Sequence, residues 1–225
     1  MGGENVPLPV WAGATIVFFG DSITFGQYVD PRVRWTAFVE SHLRRAGDDE
    51  YTYCVNRGVS GETSHDALLR FAHDVQHRSP DIVTIQFGLN DCNCWETDRG
   101  LPRVSERSFE ANLHEMINRT RWFGCEEIIL STNHTTTRET VQPNGRSYEA
   151  NNRRYNAIIR SVAESAGVVL CDMEQSFARY AGEDLASLLL PYPDQLHLSE
   201  NGNRVYFETI VPFVDAALRR HAEAG

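Results

Sequence analysis

Five short apolar runs, each rich in β-branched or aromatic residues, alternate along this chain with stretches of helical periodicity. The runs cover residues 15–19, 51–55, 82–87, 128–132 and 168–171. Several are almost continuously hydrophobic, as strands covered on both faces should be. The intervening segments place apolar residues at helical spacing. Residues 34–46 carry Trp35, Phe38, Val39 and Leu43. Residues 65–77 carry Leu68, Leu69, Ala72 and Val75. Residues 105–122 carry Phe109, Leu113, Met116 and Ile117, and residues 152–166 carry Tyr155, Ile158, Ile159 and Val162. A last helix is expected after Ser199, a suitable cap. This alternation predicts an α/β fold, with a five-stranded parallel sheet between two helical layers. No repeat or Pro/Gly/Ser-rich linker divides the 225 residues, and a hydrophobic content of 41% suffices for a core. Residues 1–225 are therefore expected to form a single three-layer α/β/α domain, its core spanning about 14–215.

Four short motifs sit where such a sheet would place its loops. They are Gly20-Asp21-Ser22-Ile23, Ser60-Gly61-Glu62-Thr63, Gly88-Leu89-Asn90-Asp91 and Asp194-Gln195-Leu196-His197-Leu198. Ser22 follows the first expected strand, Gly61 the second and Asn90 the third. Open α/β sheets bind ligands beyond the carboxyl ends of their strands, so these residues converge on one edge. His197 precedes the last helix and can fold back over that edge. The four motifs supply a hydroxyl nucleophile, hydrogen-bond donors, and a histidine with a carboxylate three residues upstream. Those are the parts needed for acyl transfer through a serine ester. Each part also has a plainer reading. A serine after aspartate often caps a helix, Ser-Gly and Asn-Asp pairs form turns, and a lone histidine is usually structural.

Taken together, the motifs resemble those of the SGNH hydrolases, also called the GDSL esterase family, over roughly residues 16–214. The resemblance implies a flavodoxin-like sheet and a carboxylic ester hydrolase. It implies Ser22 as nucleophile, His197 as base and Asp194 as its orienting acid. The oxyanion hole would be the Ser22 and Gly61 N–H groups with the Asn90 amide. The runs Val55-Asn56-Arg57-Gly58-Val59-Ser60-Gly61 and Leu196-His197-Leu198-Ser199-Glu200-Asn201-Gly202-Asn203 are similar to the isoamyl-acetate-hydrolysing type. Leu89 departs from the small residue usual in the family, which bears on the shape of the acyl pocket. Tyr28, Leu89, Trp95, His134 and Arg138 are the candidate substrate contacts. The segment Asn133-His134-Thr135-Thr136-Thr137-Arg138 is polar where a long-chain lipase would be apolar. It fits a short acyl group on a polar or sugar-like alcohol, or equally a loop facing solvent.

Charge and cysteine usage narrow the alternatives. The net charge of −10 disfavours a nucleic-acid partner. Every basic residue is arginine, which excludes lysine Schiff-base chemistry and a phosphate-loop lysine. Five scattered cysteines without a leader read as reduced thiols in a cytoplasmic protein. Cys92 and Cys94 lack a second pair at zinc spacing, so neither metal nor cofactor is expected. No apolar run reaches the ~20 residues of a membrane span. The expected partner is a small ester, and oligomeric state is left open. A thioesterase or acyltransferase would use the same residues. A non-catalytic binding module would not need all five site residues, and a nucleotide-binding protein would need a Gly-rich loop where Gly20-Asp21-Ser22 stands.

Overall fold

The computed structural model describes residues 13–45, 52–180 and 182–224. The N-terminal segment examined for a leader, Ala46 of the first expected helix and Tyr51 of the second expected strand lie outside these residues. Five parallel strands form one sheet: β1 (Thr15–Gly20), β2 (Tyr53–Gly58), β3 (Ile82–Gln86), β4 (Glu127–Ser131) and β5 (Val169–Cys171). Their order is β2-β1-β3-β4-β5, the flavodoxin-like arrangement, whose topological switch point falls beside β1. Helices α2 (Trp35–Arg45) and α8 (Glu200–Ala224) pack together on one side of the sheet. Helices α3 (Ser64–Asp74), α4 (Glu106–Trp122) and α5 (Tyr148–Ala166) pack side by side on the other.

Alternation along β1 shows how both faces are filled. Phe18 meets Trp35 of α2 edge-on at 5.0 Å, and Trp35 stacks on Tyr206 of α8 at 4.8 Å. Phe19 points the other way, 5.3 Å from both Phe71 and Phe87. All of these rings are buried. The near-continuous hydrophobicity of the strands follows from this two-sided burial.

Three elements begin or end well away from where the sequence pattern places them, one of them α3, which stops at Asp74 and not at 77. β2 runs on through Asn56, Arg57 and Gly58 rather than stopping at Val55. The extension is polar because neighbouring groups satisfy it. Asn56 Nδ2 donates to the Thr24 carbonyl at 2.7 Å and to Thr36 Oγ1 at 3.0 Å. α5 starts at Tyr148, four residues before the expected 152, with Ser147 Oγ accepting from Ala150 N. Its first turns bury Glu149, Asn151, Asn152 and Asn156, so no apolar period marks them. Short helices α1 (Ser22–Phe25), α6 (Met173–Phe177) and α7 (Glu183–Ser187) carry too few apolar positions to show as periodicity.

The strand ends are level. Gly20 lies opposite Gly58 on one side and Gln86 on the other. α1 folds straight back over them. An added Cβ at Gly58 would overlap the backbone nitrogen of Phe25, and one at Gly20 would overlap the Thr24 side chain. The α1 turn is held from above by Trp35 Nε1, which donates to the Ile23 carbonyl at 3.0 Å, while the Trp35 N–H donates to Asn203 Oδ1 of α8. Gly58→Ala must therefore push α1 off the sheet. We expect it to lower unfolding stability by about 1–3 kcal/mol, the usual cost of overpacking. Urea denaturation reads this directly, and an unchanged midpoint would show that the turn has slack.

Candidate active site

Ser22 is the first residue of α1, and its side chain is almost fully buried. Asp21 caps the helix, its Oδ1 accepting from Ile23 N at 2.9 Å. Gly26 ends the turn with a φ of 74°. The first N–H of a helix has no intrahelical acceptor, so the helix's own hydrogen bonds leave the Ser22 N–H unused.

His197 reaches Ser22 from the loop before α8. Its Nε2 lies 2.9 Å from Ser22 Oγ, and its Nδ1 lies 2.7 Å from Asp194 Oδ2. An ionised carboxylate only accepts hydrogen bonds. Nδ1–H therefore donates to Asp194, and Nε2 is left to accept the Ser22 proton. The other Asp194 oxygen accepts from the His197 N–H at 2.7 Å and the Leu196 N–H at 3.0 Å. One carboxylate thus closes the turn and orients the ring. Burial by itself would raise the Asp194 carboxyl. The hydrogen bonds from His197 and Leu196 outweigh it and hold the group below its ordinary value.

Gly61 takes a φ of +80°, and a Cβ built there would meet nothing within 4 Å. Glycine is required for the backbone angle, and the space beside it is open. The Gly61 N–H makes no hydrogen bond among the described residues. Asn90 Nδ2 donates to the Glu62 carbonyl at 2.9 Å and reaches towards Asp21 Oδ2 at 3.5 Å. It is thereby tied to the residue after Gly61 and the residue before Ser22. The structure brings Ser22, Asp194, His197, Gly61 and Asn90 to the same end of the sheet.

The five candidate substrate contacts divide. Tyr28 is exposed, with its ring 5.1 Å from that of His197, edge to face. Trp95 is exposed beside Arg103, whose guanidinium lies 4.7 Å from the ring centre. Leu89 is buried and belongs to the core cluster. His134 is also fully buried. Its Nε2–H donates to the Leu196 carbonyl at 2.8 Å, and burial pushes its pKa down to about 4, so the ring is neutral. Arg138 is half-buried and spends Nε and Nη2 on the Asp194 carbonyl. Leu89 and His134 thus offer little surface, and His134 and Arg138 brace the Asp194–His197 turn.

Much of the polarity of the 133–138 loop is turned inward. Thr136 donates from N and Oγ1 to Glu149, Asn133 exchanges hydrogen bonds with Asn156, and Asn152 donates to the His134 carbonyl. These groups bind the loop to α5, while Thr135, Thr137 and Arg138 stay partly exposed.

Two residues of consequence escaped the sequence reading. Arg70 of α3 donates to the Gly20 and Arg57 carbonyls and pairs with Glu62 and Asp74. Arg103 donates to the Gly61 carbonyl. An arginine in a helix or loop carries no local signal that would have singled out either one. Among the described residues no group of three or more His, Cys, Asp or Glu side chains could hold a metal ion. The Cys92 and Cys94 thiols are buried and unpaired, and burial raises both pKa values.

The chain is similar to known proteins along most of its length. The family model described as "GDSL-like Lipase/Acylhydrolase family" matches residues 18–205. An acetylxylan esterase of Geobacillus stearothermophilus is 26% identical over 217 residues, covering 88% of this chain and 92% of the relative. An uncharacterised lipoprotein of Bacillus subtilis is 29% identical over 214 residues, covering 87% of each. The crystal structure of a lipase/acylhydrolase from Enterococcus faecalis superposes with a TM-score of 0.73 at 27% identity, over 90% of this chain and 96% of that one. No described helix is long and apolar enough to cross a membrane.

Beneath Ser22 the site carries an uncompensated acid. Asp21 is wholly buried, and burial pushes its pKa up to about 7, against partial relief from the Ile23 N–H. Its unfolded value is near 3.8. A raised carboxyl lends stability that is complete below the unfolded value and is lost as pH rises through the folded one. Asp21→Asn keeps the cap and removes the titration. Relative to the parent, the variant should gain ~1.4 kcal/mol of stability per pH unit between about 4 and 7. Unfolding curves at several pH values check this. Parallel pH dependences would show that Asp21 is not the titrating group.

Proposed function

Given that this chain belongs to the GDSL-like lipase/acylhydrolase family and is a carboxylic ester hydrolase, we propose that it cleaves esters of short acyl groups through an acyl-Ser22 intermediate. One observation carries the reading. Ser22 Oγ, His197 Nε2, His197 Nδ1 and Asp194 Oδ2 form one hydrogen-bonded line, 2.9 Å and 2.7 Å long at its two links.

Each step of the proposed reaction uses a group of this line or a donor beside it. As Ser22 Oγ attacks the ester carbonyl carbon, its proton passes to His197 Nε2. Asp194 stabilises the imidazolium through Nδ1. The carbonyl oxygen gains negative charge, met by the Ser22 N–H, the Gly61 N–H and the Asn90 amide, whose second hydrogen is engaged only by the long 3.5 Å contact with Asp21. On collapse the C–O bond to the alcohol breaks, and the leaving oxygen takes the proton from His197. A water molecule then gives its proton to His197 and attacks the acyl-serine carbonyl. A second collapse frees the carboxylic acid and returns the proton to Ser22.

The substrate reading draws on two exposed aromatic residues. Tyr28, beside His197, and Trp95, beside Arg103, are suited to the apolar faces of sugar rings. The name of the Geobacillus relative and the motif likeness to isoamyl-acetate-hydrolysing esterases both support a small acyl group. One core cluster joins the two helical layers across the sheet, which supports reading the chain as one domain. The five unpaired thiols support a reducing compartment.

A panel of p-nitrophenyl esters from acetyl to palmitoyl, beside acetylated xylo-oligosaccharides and acyl-thioesters, tests this. We expect kcat/KM to be highest for acetyl to butyryl and at least ~10-fold lower by decanoyl. That is the scale on which a hydrophobic pocket discriminates chain length. Acetate should also be released from the acetylated sugars. Activity that rises with chain length would contradict the substrate reading, and preference for thioesters would replace the oxygen ester.

A further inference from the structure

We propose that Arg103 is a positioning residue for the oxyanion hole, holding Gly61 so that its N–H points at the reacting carbonyl. The inference rests on the reading of Ser22 and Gly61 given above. Its starting point is how little else holds Gly61. Val59, Ser60 and Gly61 are all exposed. No atom lies within 4 Å of where a Gly61 Cβ would stand. The turn's own hydrogen bond, from Glu62 N to the Val59 carbonyl, is long at 3.4 Å. Glycine at positive φ has more conformational freedom than any other residue. A donor on such a residue is effective only if its direction is fixed before the reaction begins.

Successive carbonyls of the turn are fixed by side chains instead. Arg103 Nη1 donates to the Gly61 carbonyl at 2.9 Å, and Asn90 Nδ2 donates to the Glu62 carbonyl at 2.9 Å. The Glu62 carboxylate is paired with Arg70. The Arg103 contact is the one that falls on Gly61 itself: it fixes the peptide plane that follows the Gly61 Cα, and so removes half of the freedom of the residue whose N–H is needed.

Arg103 is in turn well placed to act as a fixed point. The loop leaving Asn90 returns through the antiparallel bridge between Cys94 and Pro102. The Arg103 N–H donates to the Asn93 carbonyl at 3.0 Å, and the Val104 N–H donates to the Asp91 carbonyl at 3.2 Å. The guanidinium lies over Trp95, and Asp66 Oδ2 stands 3.9 Å from Nη2. The side chain is only 20% exposed. A planar guanidinium can stack on a ring and donate from its edge at the same time, which an ammonium cannot. It also brings positive charge to the side of the turn next to the forming oxyanion. Both effects act where charge develops in the transition state, so they should appear in kcat and not in KM.

The test compares Arg103→Met and Arg103→Lys with the parent enzyme on p-nitrophenyl acetate, with Ser22→Ala alongside. Methionine keeps an apolar stem against Trp95 and removes the donor and charge. We expect Arg103→Met to lower kcat by about 10–100-fold, less than the 10²–10³ for outright loss of an oxyanion donor. KM should stay within about 3-fold. Arg103→Lys should recover part of the loss. A small alkylboronic acid, which forms a tetrahedral adduct on serine, should bind Arg103→Met more weakly by the factor lost in kcat. Binding of the acetate product should be unchanged, a separation that simple loosening of the fold would not produce. An unchanged kcat, or a change confined to KM, in Arg103→Met or, should that variant not fold, in Arg103→Lys, would overturn the proposal. Retained activity in Ser22→Ala would overturn the site reading on which it rests. An inactive Ser22→Ala with a fully active Arg103→Met would overturn this inference alone.

Discussion

The whole site depends on how closely α1 can lie against the ends of β1 and β2. Two glycines, Gly20 and Gly58, stand opposite each other in the ladder, and neither has room for a Cβ. A side chain at either position would lift the α1 turn, and with it Ser22, away from the sheet. Because the strands are parallel and end level, the loops after β1, β2 and β3 start from one line. Short loops then suffice to gather Ser22, Gly61 and Asn90. The buried Trp35 indole fixes the outer side of the same turn by its bond to the Ile23 carbonyl and by its contact with α8. His197 arrives at the start of that same helix, so the proposed nucleophile and base share a support.

Charge is organised around this contact. Arg70 reaches the Gly20 carbonyl, the Arg57 carbonyl and the Glu62 carboxylate, and so joins the ends of β1 and β2 to the Gly61 turn. Its guanidinium stacks on the Phe19 ring, 4.4 Å from the centroid. Beneath the site two carboxyls, Asp21 and Asp91, are buried, and burial raises both pKa values, to about 7 and about 6. Ser64 donates from N and Oγ to one Asp91 oxygen. The donors of the site are thus backed by acids that cap helix N-termini. Backbone order at the strand ends and hydrogen-bond direction at the oxyanion turn come from the same few side chains.

The sequence disclosed what is local or periodic. Five apolar runs revealed five strands, most clearly β1, β3 and β4, which are buried on both faces. The Asp194–His197 pair was visible because its contact closes within three residues. Polarity misled where its partners were distant. The 133–138 loop read as substrate-facing or solvated, yet Thr136, Asn133 and His134 hydrogen-bond to α5 and the Leu196 carbonyl. The same loss of pattern hid the first turn of α5 and the last three residues of β2. Arg70 and Arg103 were illegible for a related reason. Their acceptors, the Gly20 and Gly61 carbonyls, lie 50 and 42 residues away, and a backbone carbonyl leaves no mark in a sequence.

The central claim is that Ser22 becomes covalently acylated. Intact-mass measurement after treatment with a fluorophosphonate, followed by peptide mapping, tests it most directly. The account predicts one adduct per chain, on Ser22, formed in step with loss of esterase activity and slowed in Asp194→Asn, whose amide no longer orients His197 as the base. Loss of activity with the adduct on another serine, or full inhibition with no adduct at all, would contradict it.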